Sequence, residues 1–256
     1  MAKTVLITGA TAGIGEACAQ LFAAQGYRLI LAARRKDRLE KLAERLGTQY
    51  KAGLMTLILD VRDKKAVTGC LENLPDDWRQ VDVLINNAGL SLGLEPLQQG
   101  NTDDWDTMID TNIKGLLYVT KIVSQWMVRQ KSGHIINIGS IAAKETYPNG
   151  NIYCATKHAV DSLSKAMRID LLPYGVKVTA IHPGPAETEF SQVRFKGDTE
   201  RAKKMYEGYQ PLTAEDIAET IWFAISRPAH VNISDLLIMP AAQATATIIH
   251  RNAVKE

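Results

Sequence analysis

Apolar and polar positions follow two different rhythms along this chain. Short, almost uninterrupted apolar runs recur at Thr4–Thr8, Leu29–Ala33, Leu54–Leu59, Val83–Ile85, Ile135–Ile138, Val176–Ile181 and Leu236–Met239. Strands covered by helices on both faces need such composition, whereas half-exposed strands alternate. Longer stretches with helical spacing lie between them, over 14–26, 37–47, 64–73, 103–130, 152–172 and 214–226. This alternation predicts right-handed crossovers and a parallel sheet flanked by helices: an α/β, Rossmann-like, doubly wound fold in a single domain over residues 1–256.

Two stretches break the rhythm. Residues 90–101 form a loop, and residues 184–212 are rich in Gly, Pro and charge, with a short helix expected near 199–208. A long polar excursion after a strand is either a substrate lid or a plain surface loop.

Composition narrows the class. Hydrophobic residues at 46% and charged residues at 23% suit a globular domain, and a formal charge of +2 supplies no field for nucleic acid or an anionic membrane. Cys18, Cys70 and Cys154 are scattered and odd in number, which argues against a disulfide framework or a zinc cage. Met1-Ala2-Lys3 runs straight into Val5-Leu6-Ile7 without a signal-peptide core, and no apolar run approaches the roughly 20 residues that cross a bilayer. A cytoplasmic location is expected. The histidines at 134, 158, 182, 230 and 250 show no metal-ligand spacing, so no metal is expected. Trp222-Phe223 and the apolar tail within 234–256 read as core or subunit contact.

The chemistry gathers at strand ends. The first run finishes in Thr8-Gly9-Ala10-Thr11-Ala12-Gly13-Ile14-Gly15 and passes directly into a helix. Glycines there let backbone approach a pyrophosphate, whose charge the free N–H groups of the helix start attract. A glycine triplet alone is weak evidence, because any tight turn uses it; on the first strand–helix turn it points to a dinucleotide. The second strand continues as Arg34-Arg35-Lys36, where an NAD site would place an acid. A guanidinium fork suits the 2′-phosphate of NADP, although a solvated basic turn would look the same. Asp60-Val61 and Asn86-Asn87-Ala88-Gly89 end the third and fourth strands on the adenine side.

Ser140 follows the fifth strand, and Tyr153 and Lys157 lie one helical turn apart. A free tyrosine titrates near pH 10, so making it a base at neutral pH takes about 4 kcal/mol of charge stabilisation, which a nearby ammonium can help supply. Asn112 sits in the apolar stripe of 103–130, between Met108 and Leu116. A buried amide needs partners: either it ties the helix to a neighbour or it holds a water beside Lys157.

Taken together, Thr8–Gly15, Asn86–Gly89, Asn112, Ser140, Tyr153/Lys157 and Pro183-Gly184 with Thr188 resemble the short-chain dehydrogenase/reductase family in order and approximate spacing. The resemblance implies a seven-stranded sheet and a homotetramer or homodimer. It makes Tyr153 the acid/base and gives Ser140 the substrate carbonyl. Lys157 would hold the nicotinamide ribose and lower the tyrosine pKa, and Asn112 would serve a water relay. Pro183, Gly184, Ala186 and Thr188 would flank the nicotinamide. The stretch Glu189–Asp198, Leu212-Thr213 with Glu215-Asp216, and Pro228–Ile233 are similar to NADP-dependent 3-hydroxy acid dehydrogenases, which implies serine, allo-threonine or 3-hydroxypropionate/malonic semialdehyde as substrates. One departure is that the stretch between Pro-Gly and Thr-Glu-Phe in that group can be longer than Pro185-Ala186-Glu187. A substrate carboxylate needs a cation, and Arg194 or Lys196 is expected to provide it. The competing readings are an NADPH-dependent reductase of a neutral ketone, pterin or alcohol, and a non-catalytic NADP(H) sensor.

Overall fold

A computed structural model describes residues 2–252. Seven strands, β1 (Thr4–Thr8), β2 (Arg28–Ala33), β3 (Leu54–Ile58), β4 (Val83–Asn86), β5 (Gly133–Ile138), β6 (Val176–Pro183) and β7 (Asp235–Ile238), pair in parallel in the order β3-β2-β1-β4-β5-β6-β7. The order reverses direction between β1 and β4, which opens the crevice where such sheets bind ligands. Val5 and Ile7 of β1 face one core, with α1 (Gly13–Ala24), α2 (Lys36–Tyr50) and α9 (Ala214–Ile225); Leu6 faces the other, with α3 (Lys64–Glu72), α5 (Leu116–Gln130) and α6 (Asn151–Leu171). Both faces being covered explains why the strands read as solid apolar runs. Each fully buried Leu or Ile contributes about 1.5–3 kcal/mol.

Two expectations change. The stripe over 103–130 is not one helix. It splits into α4 (Thr102–Ile109), a π-helical turn at Asp110–Gly115, and α5. The extra residue of a π turn is a common device at functional sites, and here it carries Asn112. Gly115 closes the turn against Val61, whose Cγ2 would lie 2.6 Å from any Cβ. The segment 184–212 holds two short helices, α7 (Phe190–Arg194) and α8 (Thr199–Lys204), rather than one. Too few residues in α7 repeat to show a period. Trp222 joins the core against Phe22 and Tyr27, while Phe223 beside it is exposed. Residues 253–256 of the tail lie outside the described residues.

Candidate active site

All seven strand ends converge on one edge, and a cavity of about 470 Å³ runs along it from β2 to the 184–212 segment. Its first half is made by backbone. Gly9 and Gly13 adopt φ of +67° and +51°, which side chains rarely tolerate. No side chain caps α1 at Ala12, so the first N–H groups of that helix keep no internal acceptor. Thr11, Gly13, Ile14, Arg34, Arg35, Asp60, Val61, Asn87, Ala88 and Gly89 all reach the wall. Ala10 and Gly15 do not. Ala10 is fully buried, and Gly15 is glycine because a Cβ would strike the Gly9 carbonyl and the Asn87 amide. Asn87 Nδ2 donates to the carbonyls of Thr8 (2.9 Å) and Gly9 (3.1 Å), while Thr8 Oγ1 accepts from the N–H groups of Asn87 and Ala88, both at 3.0 Å. The glycine turn is thereby bolted to the end of β4.

Charge at this end is already organised. Asp60 is gripped by Arg62 (2.6 Å); burial pushes its carboxyl up, but Arg62 and the Arg34 charge outweigh it and hold it below the usual range. Arg35 donates to Glu189 Oε2 (2.9 Å) and reaches Thr11 O and Oγ1 at 3.5 Å, and Arg38 donates to Glu189 Oε1 (2.6 Å). Glu189 thus links the 184–212 segment to the basic turn, a contact with no local sequence signal. The uncapped helix start, positive-φ glycines and adjacent guanidinium groups fit a phosphorylated dinucleotide.

The second half is made by side chains. Ser140, Tyr153, Lys157, Pro183, Gly184, Ala186, Thr188 and Arg194 all line it. Lys157 Nζ donates to the Ile138 carbonyl (2.8 Å) and lies 5.9 Å from the centre of the Tyr153 ring; burial pulls its pKa down to about 8. Ser140 Oγ accepts from Ala142 N (3.1 Å), and its hydroxyl also hydrogen-bonds with Tyr153. Asn112 makes the structural tie: Oδ1 accepts from Leu90 N (2.9 Å), and Nδ2 donates to Leu90 O (2.8 Å) and Thr156 Oγ1 (3.0 Å). Asn112 Oδ1 and Lys157 Nζ both flank Gly89, where a Cβ would lie 3.3 and 3.6 Å from them.

Tyr153 is buried. Burial drives its phenol pKa up, Tyr147 adds to this, and a Ser140 hydrogen bond and the Arg194 charge pull it back; Lys157 is not among the groups that lower it here. One of the three ammonium N–H groups of Lys157 is directed to the Ile138 carbonyl. Lys196 pairs with Asp104 (2.8 Å) outside the cavity wall, so of the two candidate cations only Arg194 is brought to the site. Arg194 is buried, with Nε donating to Gly93 O (3.2 Å) and a terminal nitrogen to Tyr147 Oη (2.9 Å).

Beneath Ser140 lies a cluster that spacing could not reveal, because its members come from four elements. His182, fully buried on β6, has Nδ1 3.2 Å from the Ser140 carbonyl and Nε2 3.1 Å from Asp235 Oδ2 and 3.5 Å from Asp161 Oδ1. Lys144 bridges both carboxylates at 2.9 and 2.7 Å, supplying the cation between them. Burial pushes the Asp161 carboxyl up, but hydrogen bonds from Lys165 and Lys144 prevail and hold it down to about 2. His134 is structural: its Nε2 meets Thr179 Oγ1 at 2.7 Å, and burial lowers its pKa to about 3.

A crevice of this topology with a tyrosine–lysine pair on α6 defines a class. The chain belongs to the short chain dehydrogenase family, whose sequence model matches residues 3–199. It is similar to the NADP-dependent 3-hydroxy acid dehydrogenase YdfG of Salmonella typhi, with 48% identity over 250 residues, 97% of this chain and 99% of that protein. It is also similar to sulfoacetaldehyde reductase 2 of Chromohalobacter salexigens, with 46% identity over 245 residues, 95% and 96% of the two chains. Among solved structures, the closed form of serine dehydrogenase complexed with NADP+ matches at a TM-score of 0.91 and 46% identity, covering 97% of this chain and 100% of that one.

Proposed function

We propose that this chain is an NADP-dependent oxidoreductase acting on the 3-hydroxyl or 3-oxo group of a small hydroxy acid, such as serine, allo-threonine or 3-hydroxypropionate/malonic semialdehyde. The observation that carries this reading is Arg194. A guanidinium is buried in the cavity wall 5.6 Å from the centre of the Tyr153 ring, and its hydrogen bonds go to a carbonyl and a phenol. Among the described residues no carboxylate pairs with it. A buried cation without a counter-charge is costly, and a substrate carboxylate arriving beside the reacting carbon relieves that cost. The names of the similar proteins point the same way, since 3-hydroxy acids, serine and sulfoacetaldehyde all carry an acidic group.

Gly9, Thr11, Gly13, Ile14 and the start of α1 would cradle the pyrophosphate, Arg34 and Arg35 the 2′-phosphate, Asp60 and Val61 the adenine, and Asn87–Gly89, Pro183, Gly184, Ala186 and Thr188 the nicotinamide side. The bound nicotinamide supplies the hydride acceptor or donor. Tyr153 moves the proton of the reacting hydroxyl, and Ser140 donates a hydrogen bond that orients its oxygen. Lys157 holds the ribose. Asn112 keeps a spare lone pair on Oδ1 to position a water beside Lys157, leading protons outward. The 184–212 segment acts as the lid over this reaction. We infer a cytoplasmic homodimer or homotetramer; three unpaired cysteines and exposed Phe223 and Leu237 support this.

The test compares NADP+ reduction with 3-hydroxypropionate and with its neutral methyl ester. The acid should be preferred by at least about 30-fold in kcat/KM, the scale of one desolvated charge pair. Equal rates would favour the neutral-carbonyl reading.

A further inference from the structure

Tyr153 lies between two cations of different character. Lys157 comes from its own helix, α6, and Arg194 from α7, with Nζ 5.9 Å and the guanidinium carbon 5.6 Å from the ring centre. Both fall within the roughly 6 Å over which a cation and an aromatic ring attract. The other titratable groups facing the ring are Tyr147 from the segment before α6 and Cys154 from α6; Ser140 adds a hydrogen bond. Neither Tyr147 nor Cys154 brings positive charge.

The two cations respond differently to pH. Burial brings Lys157 to about 8 while it drives the Tyr153 phenol up, so the ammonium is lost before that phenol ionises. A guanidinium stays charged throughout. Arg194 is also held firmly. Its carbonyl accepts from Gly93 N (3.0 Å), its Nε donates back to Gly93 O (3.2 Å), and its guanidinium carbon sits 5.5 Å from the Tyr147 ring centre. These contacts tie α7 to the 90–101 loop and fix the charge over Tyr153.

We propose that Arg194 is a positioning residue for proton transfer as well as a substrate anchor: its guanidinium, carried by α7, is the permanent cation that favours the ionised form of Tyr153. Docking of α7 on the 90–101 loop therefore sets the strength of the base. This rests on Tyr153 being the proton-transfer group, but not on the substrate carrying a carboxylate.

The experiment measures the pH dependence of kcat/KM for oxidation of methyl 3-hydroxypropionate, which has no carboxylate to anchor, in wild type, Arg194→Gln and Arg194→Lys. Gln removes the charge while keeping donors for Gly93 and Tyr147; Lys keeps the charge. The acid-side limb, along which the rate rises as Tyr153 ionises, should move up by about one pH unit in Arg194→Gln, a tenfold change in phenolate fraction, and by less than half of that in Arg194→Lys. An unmoved limb in Arg194→Gln, or equal movement in both variants, overturns the proposal. If the ester is not turned over, ultraviolet phenolate titration of each protein against its Tyr153→Phe partner reads the same midpoint, with the same two outcomes. The anchoring role fails separately, when KM for 3-hydroxypropionate is unchanged in Arg194→Gln.

Discussion

The cavity has two halves built in different ways. On the β1–β4 side, most wall residues come from a strand end or the turn that follows it, and hydrogen bonds between Asn87 and the Thr8–Gly9 turn lock those turns together. On the Tyr153 side, a helix and a strand end meet segments that are distant in sequence. Arg194 reaches Gly93, and Tyr206 donates to Ala186 O (3.0 Å). The first half recognises through backbone that the sheet itself holds in place. The second relies on side chains held by a few long-range contacts, so it can change specificity without disturbing the sheet.

Substitutions can sharpen or break this contrast. The largest effect is expected at Tyr153, in the half built from side chains. Tyr153→Phe keeps the ring packed against Phe190 and removes only the hydroxyl, so steady-state kinetics should show kcat falling by about 10³-fold with an unchanged melting temperature. Residual activity above a tenth of wild type would remove Tyr153 from proton transfer.

A smaller effect is expected at Arg35. Arg35→Ala should weaken NADP+ binding by about 30-fold in a fluorescence titration while leaving NAD+ binding within about twofold, as loss of one charge-assisted phosphate contact predicts. Equal losses for both dinucleotides would mean that Arg35 shapes the turn and does not read the phosphate. Stability should hardly change, since the Arg35–Glu189 pair is solvent-exposed and such pairs contribute little.

The cluster under Ser140 gives a change in stability and none in nucleotide choice. Because the Asp161 carboxyl is depressed in the folded protein, its contribution is complete above about pH 4 and is lost as pH falls towards 2. Asp161→Asn should cost about 2 kcal/mol at pH 7 in denaturant unfolding, and the penalty should shrink as the pH is lowered through that window. A penalty constant from pH 7 to pH 2 would show that packing, not charge, holds the cluster.

Legibility in the sequence follows the same division. The strands are readable as local patterns, and the glycine turn, Ser140 and the Tyr153/Lys157 pair, each weak alone, become readable once they fall together at the strand ends. The π turn at Asp110–Gly115 is not, since the apolar stripe through Met108 and Leu116 looks helical whether or not one residue is extruded between them. The His182–Asp161–Asp235–Lys144 cluster is assembled by the order of β5, β6 and β7, which no spacing rule encodes. Arg194 and Lys196 are two residues apart and indistinguishable by composition. A left-handed backbone at Lys196 (φ +52°) and the Asp104 carboxylate turn one outward, while Gly93 and Tyr147 draw the other in. Where the Lys157 ammonium points is likewise outside the reach of spacing, since the Ile138 carbonyl that accepts from it lies on a different element.

In the proposed function, Arg194 selects a carboxylate beside Tyr153. This is tested most directly by the ratio of kcat/KM for 3-hydroxypropionate to that for its methyl ester, with saturating NADP+, in wild type and Arg194→Gln. The account predicts a ratio of at least about 30 in wild type, collapsing to within about threefold of unity in the variant through a raised KM for the acid. A ratio that Arg194→Gln leaves unchanged would contradict it.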